Sequence, residues 1–249
     1  RNLTLTSQCR TSLMYILKYL KKKFPKKNEI IYCAYNFPEM VHISRNLGFK
    51  ITFCDLDYQT GFFDLAMLKR RVNNKTLAVV MTNMFNSYEQ SLKLKKICRK
   101  KIFIIEDNAI YFDNYKLNKG KKICSGSIGD FSIYSFNIMK NISALFGGAV
   151  TTNNSEFYHY AAQKIENFNN FPILLLIKQS IIFLILKILS INFLYKTIFF
   201  RIIKISHIYN VKFLLKLFYP SLKFKKIIFP NYYFSKISNL SKKLVTFQL

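Results

Sequence analysis

Between Glu29 and Glu106 the sequence alternates short apolar runs with longer amphipathic ones, and this alternation limits the fold more than any other feature. The apolar runs predict strands at 29–33, 50–54, 77–82 and 102–106, with helices between them at 38–47, 64–72 and 87–100. Asp64 is placed to cap the second of these helices. Buried strands that alternate with helices are typical of a mostly parallel sheet with helices on its faces. The predicted fold class is therefore α/β.

A further amphipathic helix is predicted ahead of the first of these strands. Leu13, Ile16, Leu17 and Leu20 follow helical spacing there, and polar residues precede them. The free N–H groups at the start of such a helix are available to a cap or to a phosphate.

Charge divides the chain into two parts. The net charge is +27, yet every acidic residue lies between Glu29 and Glu166, and residues 167–249 contain thirteen Lys or Arg and no Asp or Glu. This asymmetry separates an α/β domain at 1–168 from the remainder, which we divide into an apolar, Lys-rich helical insertion at 169–228 and a C-terminal segment at 229–249.

The insertion is apolar but interrupted by basic residues. Lys178, Lys187, Lys196, Arg201 and Lys204 break the apolar sequence from residue 171 onward, so that no charge-free window reaches the roughly 20 residues of a spanning helix. This pattern favours a helix that lies on an anionic membrane surface. A buried role in a dimer or in the core, and a true membrane span, remain open as alternatives. Nucleic acid is not an expected partner, because no reading-helix or RNA motif accompanies the positive charge.

The cysteines and histidines predict neither a disulfide framework nor a metal site. Five cysteines are widely spaced without any C-x-x-C, which is typical of buried, reduced thiols in a cytoplasmic protein. None of the three histidines lies near a cysteine pair. We therefore expect a cytoplasmic protein that binds no metal, with the inner face of the membrane as its possible location.

Two chemically distinctive groups lie at the ends of adjacent predicted strands. The acidic pair Glu106-Asp107 ends one strand, and about thirty residues later a strand of alternating aromatic residues runs toward Lys140. The pair Gly147-Gly148 then begins a third strand. A carboxylate at a strand end and a lysine just past a Ser-bearing strand are the groups that a pyridoxal phosphate enzyme requires. The lysine forms a Schiff base with the cofactor aldehyde, and the carboxylate keeps the pyridine nitrogen protonated.

Several ordered motifs resemble one known family. The motifs IEDNA at 105–109, GSIGDFSIYSFNIMKN at 126–141 and GGAVTTN at 147–153 are similar in order and spacing to those of the DegT/StrS sugar aminotransferases. Residues 29–57 match the same family without a gap, and the resemblance covers residues 6–165. It implies the fold type I aminotransferase-like large domain and pyridoxal 5'-phosphate as cofactor.

The resemblance also implies roles for individual residues. Lys140 would hold the cofactor and, once released, act as the acid/base. Asp107 would pair with the pyridine nitrogen, Ser135 would contact the phosphate, and Phe37 would stack on the pyridine ring. The start of the first helix would donate backbone N–H groups to the phosphate, and these belong to Cys9, Arg10 and Thr11.

The implied activity is transfer of an amino group from glutamate to a nucleotide-activated keto sugar. The implied enzyme is a homodimer that serves synthesis of a cell-surface glycan. Three features depart from the family pattern. Cys9-Arg10 replaces a small pair at the phosphate loop, although the Arg10 side chain is itself able to pair with phosphate. Ile110 replaces a Gln or His. The chain also ends where the family continues into a C-terminal domain, so we expect a fragment. The alternative function is a catalytically inactive membrane-surface scaffold that retains the fold.

Overall fold

A computed structural model describes residues 1–84, 88–98, 102–110, 114–116, 122–138, 140–218 and 229–248. By its internal contacts the chain forms two compact units. The first comprises Arg1–Phe171 together with Ile227–Leu249, and the second comprises Pro172–Lys226. The C-terminal segment, which we expected to lead into a further domain, therefore contacts the α/β unit.

Seven strands form the sheet of the first unit in the order β1-β9-β8-β5-β4-β2-β3. Neighbouring strands are parallel except at β9, which is antiparallel to both β1 and β8. A separate antiparallel pair is formed by β6 and β7. The strands are β1 (Asn2–Thr6), β2 (Glu29–Cys33), β3 (Lys50–Cys54), β4 (Thr76–Thr82), β5 (Phe103–Asn108), β6 (Asn114–Lys116), β7 (Lys122–Cys124), β8 (Phe131–Ser135) and β9 (Gly148–Thr152).

Helices follow most of the strands, and the predicted α/β class is confirmed. In the first unit they are α1 (Cys9–Lys23), α2 (Pro38–Asn46), α3 (Leu65–Arg71), α4 (Tyr88–Cys98), α5 (Ser155–Glu166) and, after the second unit, α10 (Asn239–Gln248). The predicted cap of α3 is also confirmed, because the Asp64 side chain accepts a hydrogen bond of 2.9 Å from the Met67 N–H.

The two faces of the sheet carry different cores. Ile105 and Ile133 pack with Leu13 and Leu17 of α1 on one face. Ile104 packs with Leu94 of α4 on the other face. Because successive residues of a strand point to opposite faces, the parity of a position decides which core its side chain joins. The same alternation places the adjacent residues Glu106 and Asp107, near the end of β5, on opposite faces of the sheet.

Helices make up most of the described part of the second unit. They are α6 (Ile173–Leu189), α7 (Asn192–Leu194), α8 (Phe200–Ile208) and α9 (Lys212–Phe218), with a π-helical turn at Tyr195–Phe199. Among the described residues no single helix is long and apolar enough to cross a membrane. Only Ile173–Leu189 and Asn192–Ile208 taken together meet those criteria, and they are bent by 82° at the break between them.

The cysteines differ in one respect from the expectation. Cys9, Cys33, Cys54 and Cys98 are buried free thiols, whereas Cys124 is exposed at the end of β7. The prediction of a buried thiol is therefore wrong for Cys124. Its strand pairs only with β6 in a two-stranded sheet, and such a small sheet has no core of its own to cover the side chain.

Candidate active site

The carboxyl ends of the parallel strands meet along one edge of the sheet, and the start of α1 lies on the same edge. Because β9 runs in the opposite direction, its first residue, Gly148, also lies there. A Cβ atom on Gly148 would lie 2.4 Å from the Cys9 nitrogen, so only glycine allows β9 to approach α1 this closely. Gly147 also forms a parallel bridge with Gln8. The glycine pair thus fixes β9 against the first residues of α1.

Asp107 lies near the end of β5 on the face that packs against α1. It has the same parity as Ile105, and its side chain is buried. One carboxylate oxygen, Oδ1, accepts a hydrogen bond of 3.0 Å from the Ala109 N–H. Burial raises the pKa of Asp107 to about 6, and this effect exceeds the opposing effects of the Ala109 N–H and of the Lys140 charge.

Lys140 follows the last residue of β8 by five positions and is half-buried. Its charge lowers the pKa of Asp107 and also that of the Cys9 thiol, although burial leaves both pKa values raised. The structure therefore brings the predicted lysine and the predicted aspartate within range of each other's charge, next to the start of α1. An amine and a buried carboxylate in this arrangement are able to hold a polar heterocycle between them.

Glu106 has a different environment from its neighbour Asp107. Its parity places it on the α4 face, where it is fully buried. Its oxygens accept hydrogen bonds from the backbone N–H groups of Gly126 at 2.9 Å, of Ile128 at 2.7 Å and of Gly129. Glu106 thus anchors the loop before β8. This role was not predicted from the sequence. The alternation of side chains along a strand could have indicated it, since adjacent residues such as Glu106 and Asp107 must point to opposite faces.

The side chains at the start of α1 already have partners. The Arg10 guanidinium forms an ion pair with Glu39, donates a hydrogen bond of 2.8 Å to the Tyr233 hydroxyl, and lies 5.9 Å from the centre of the Phe37 ring. Binding of phosphate by this side chain would require it to exchange these partners. The Thr11 hydroxyl donates a hydrogen bond of 3.0 Å to the Tyr233 carbonyl.

The backbone at the start of α1 is the part of the helix that suits an anion. Ser12 N–H is hydrogen-bonded to the Gln8 carbonyl at 3.2 Å. The N–H groups of Cys9, Arg10 and Thr11 precede that bond, and helix geometry offers them no intrahelical acceptor. The Gln8 side chain forms no capping hydrogen bond. Such N–H groups, with the positive end of the helix dipole, attract a phosphate.

The two remaining predicted residues lie at the same edge of the sheet. Ser135 is the last residue of β8, is buried, and is paired in register with Gly148. Phe37 immediately precedes α2, is 42% exposed, and contacts Arg10. The structure thus connects Ser135 with the start of α1 through Gly148, and Phe37 with the same helix start through Arg10.

Two buried amide oxygens at this edge lack hydrogen-bond partners within the described part of the chain: Asn36 Oδ1 and Asn137 Oδ1. Asn36 follows β2 and donates a hydrogen bond of 2.7 Å to Thr82 Oγ1, and Asn137 follows β8 and donates one of 3.5 Å to Gln8 Oε1. Leaving a buried acceptor unsatisfied is costly, so these atoms suggest polar groups that are contributed by a ligand. The sequence analysis assigned them no role.

Comparison with known proteins shows to which family the chain belongs. The family model described as the DegT/DnrJ/EryC1/StrS aminotransferase family matches residues 2–172, which is more than half of the chain. The chain belongs to this family. Its fold is therefore that of the fold type I aminotransferases, and pyridoxal phosphate is the cofactor of the family.

Individual relatives match only in part. GDP-4-keto-6-deoxy-D-mannose 3-dehydratase of Yersinia pseudotuberculosis is 31% identical over 140 residues, which are 56% of this chain and 35% of the relative. GDP-perosamine synthase of Escherichia coli O157:H7 is 29% identical over 134 residues, which are 53% of this chain and 35% of the relative. The chain thus spans about a third of the length of these relatives.

A solved structure has the same fold. GDP-4-keto-6-deoxymannose-3-dehydratase with a trapped PLP-glutamate geminal diamine superposes with a TM-score of 0.57 at 26% identity. The match covers 64% of this chain and 42% of that one. That structure thus contains both the cofactor and an amino acid bound to it.

The residues at the carboxyl edge fit pyridoxal phosphate. The cofactor presents an aldehyde, a pyridine nitrogen and a phosphate, and this edge offers an amine at Lys140, a buried carboxylate at Asp107 and the free N–H groups of α1. The raised pKa of Asp107 is the mark of a carboxylate that lacks a strong cationic partner, and a pyridinium would supply one. Ile110, at the position where the family commonly has Gln or His, is 48% exposed and offers no side-chain hydrogen bond.

Proposed function

We propose that this chain provides the cofactor-binding part of a pyridoxal phosphate-dependent sugar aminotransferase. One observation carries the proposal: a buried carboxylate, Asp107, whose pKa is raised to about 6, and a lysine amine, Lys140, interact at the carboxyl edge of a fold type I sheet. In this fold class, ligands bind outside the carboxyl ends of the strands. The pair thus lies where the fold favours a ligand.

In this function each predicted residue has a distinct task. Lys140 Nζ attaches the cofactor covalently and, when free, moves a proton to and from the substrate carbon. Asp107 holds a proton on the pyridine nitrogen. When bound, the cofactor supplies an electron-accepting ring for the negative charge that develops at that carbon.

The remaining predicted residues position the cofactor. The N–H groups of Cys9, Arg10 and Thr11 bind its phosphate together with Ser135, and Phe37 covers the pyridine ring.

The proposed acceptor is a nucleotide-activated keto sugar, and the proposed donor is glutamate. The relatives support this choice, since their names refer to GDP-linked sugars and one structure holds a PLP-glutamate adduct. We further propose a cytoplasmic homodimer that serves synthesis of a cell-surface glycan. Sedimentation velocity of the purified chain tests the dimer.

Replacement of Lys140 tests the attachment of the cofactor. The purified chain is expected to bind pyridoxal phosphate with the absorbance of a covalent link, and borohydride followed by peptide mass mapping is expected to label Lys140. Lys140→Ala should lose both signals, because no other amine is expected to replace it. Lys96→Ala, a change at an exposed lysine of α4, serves as the control and should keep both.

The same experiment distinguishes the alternative function. Ile110 and Cys9 favour an inactive scaffold. The Ile110 side chain supplies no hydrogen bond where the family commonly has Gln or His, and Cys9 lacks the backbone freedom of a glycine at the phosphate loop. If the folded chain never takes up the cofactor, or if label appears on lysines other than Lys140, the aminotransferase proposal fails and the scaffold is preferred.

A further inference from the structure

The outward side of α6 is a continuous apolar face. At about 100° per residue, its most exposed apolar side chains fall within an arc of about 120°, and the less exposed Ile182, at 37%, lies outside that arc. They are between 49% and 77% exposed and comprise Ile173, Leu174, Ile177, Ile181, Leu184, Ile185 and Ile188. We call this set the outer face of α6. Exposed apolar patches of this kind mark sites that meet a partner or a membrane.

The opposite side of α6 is less accessible. Its side chains are half-buried, and they include Leu175, Leu176, Gln179, Phe183 and Leu186. The polar Gln179 is thus on the side turned away from the outer face, and no polar residue interrupts the outer face itself. A surface helix in water turns its apolar side toward the core and its polar side toward solvent, and α6 shows the reverse arrangement of Gln179 and the apolar residues.

Two lysines stand at the borders of the outer face. On the same helical projection, Lys178 lies about 20° beyond one border and Lys187 about 40° beyond the other. Both are exposed. Lysine stems run along an apolar surface while the charged end reaches a polar layer. Cations at both borders of an apolar face are therefore what a helix presents when it lies in a lipid interface.

Charge favours a lipid surface over a second copy of the chain as the occupant. The segment Pro172–Lys226 contains ten Lys or Arg and no Asp or Glu. A contact between two outer faces would bring the bordering lysines of both copies together with no carboxylate from either segment to pair with them. Anionic headgroups provide the negative charges that this segment lacks.

From this apolar face and its cationic borders we infer that the outer face of α6 lies in the interfacial layer of an anionic phospholipid bilayer. Its isoleucines and leucines contact the acyl boundary, and Lys178 and Lys187 bind headgroup phosphates on either side. The inference concerns the second unit alone, and it does not depend on the proposed transamination.

Vesicle flotation of the full chain tests the apolar contribution. With vesicles of phosphatidylcholine and phosphatidylserine we expect the wild-type chain to float. Ile181→Ser together with Leu184→Ser should lower the partition coefficient by at least about a hundredfold, since burial of each such side chain contributes a factor of more than ten. The control carries Leu3→Ser and Leu240→Ser, changes at exposed leucines of the first unit, and should float like the wild type.

The basic residues are tested separately, with variants that leave the apolar face intact. Lys178→Gln with Lys187→Gln should lower partitioning onto anionic vesicles about 30-fold, since each basic residue near such a surface contributes about 1 kcal/mol. Partitioning onto pure phosphatidylcholine should barely change. The control pair, Lys69→Gln with Lys96→Gln, removes two exposed lysines of the first unit and should keep its preference for anionic vesicles.

Three outcomes overturn the inference. The first is a wild-type chain that stays at the bottom of the gradient with both vesicle types. The second is equal flotation of the wild type and both α6 variants. In the third, Ile181→Ser with Leu184→Ser changes the sedimentation coefficient while flotation is unaltered, which assigns the outer face to a second copy of the chain.

Discussion

Asp107 and Glu106 are adjacent buried carboxylates that differ in the number of hydrogen bonds they accept. Glu106 accepts several backbone N–H groups, whereas the Ala109 N–H is the backbone donor found for Asp107. A buried carboxylate with few donors favours its protonated form, and the pKa of Asp107 rises to about 6 for this reason. The strand thus separates an anchoring carboxylate from one that remains available for a cationic ligand.

This difference predicts a pH dependence of stability for the cofactor-free chain. The folded pKa of Asp107 is about 6, and its unfolded value is about 3.9. Its contribution is therefore fully present below pH ~4 and is lost as the pH rises through ~6, a loss of about 3 kcal/mol in the free energy of unfolding. Asp107→Asn removes this loss. The free energy of unfolding of the wild type minus that of the variant, measured by urea titration, should therefore decrease as the pH rises from ~4 to ~6.

Asp57 provides the contrasting control. Hydrogen bonds from Thr60 and Gln59 hold the pKa of this exposed carboxyl below its usual value. The stabilising contribution of Asp57 is lost as the pH falls. The free energy of unfolding of the wild type minus that of Asp57→Asn should therefore increase with pH, opposite to the trend for Asp107→Asn. A wild-type minus Asp107→Asn difference that is independent of pH would contradict the proposed environment of Asp107.

Sequence reasoning found residues with distinctive chemistry and missed those whose roles depend on the tertiary structure. Lys140 and Asp107 were predicted because an amine and a carboxylate at strand ends form a recognisable pair. Asn36 and Asn137 carry no such mark, and their buried oxygens become apparent only when the strands are placed side by side. The partners of Arg10 were equally unpredictable, since Glu39 and Tyr233 are distant from it in the sequence.

At the scale of elements, the Glu106 carboxylate anchors several residues of the loop between β7 and β8. Glu106 binds the N–H groups of Gly126, Ile128 and Gly129, so a strand residue fixes the approach to β8. Because β8 leads toward Lys140, this loop helps to set the position of the lysine. The anchoring of the loop is thus a structural condition for the site.

Glu106→Gln is expected to weaken the fold. The amide NH₂ would face backbone N–H donors, leaving at least one of them unsatisfied in a buried place, at a cost of about 3 kcal/mol. Urea unfolding measures this cost. Glu166→Gln, at an exposed position in α5, is the control and should change the free energy of unfolding by about 0.5 kcal/mol or less. Equal values for the two variants would contradict the anchoring role.

Element prediction succeeded where patterns were long and failed where they were short. The strands and helices from Glu29 to Asn108 follow clear apolar periods, and the sequence located them to within a few residues. β1 was missed because its five residues, NLTLT, are half polar and gain their pairing from β9, almost 150 residues later. The strands β6 and β7, with three residues each, are too short for any period to be visible.

At the scale of the whole molecule, residues near the start of α1 are hydrogen-bonded to the C-terminal segment. The backbone carbonyl of Tyr233 accepts hydrogen bonds from the Ser7 hydroxyl at 3.1 Å and from the Thr11 hydroxyl at 3.0 Å. The hydroxyl of the Tyr233 side chain accepts one from Arg10. The Tyr233 side chain is buried. The C-terminal segment therefore supports the start of α1, which the sequence could not reveal because more than 220 residues separate the partners.

Tyr233→Ala is expected to destabilise the first unit by about 4 kcal/mol, the usual cost of truncating a buried aromatic side chain. Thermal or urea unfolding measures the loss. Tyr58→Ala is the matched control, since Tyr58 is 93% exposed and its replacement should have an effect of about 0.5 kcal/mol or less. A small effect of Tyr233→Ala would mean that the Tyr233 side chain contributes little to the stability of the first unit, since the substitution keeps the backbone carbonyl that Ser7 and Thr11 contact.

The hydrogen bonds that Ser7 and Thr11 donate to the Tyr233 carbonyl also impose an order on biosynthesis. As the ribosome releases the chain from its N-terminus, the sheet and α1 emerge first, and the apolar helices of the second unit emerge before Tyr233. We expect the start of α1 to reach its final form only after translation has passed residue 233. A nascent chain arrested earlier should therefore expose that end to protease.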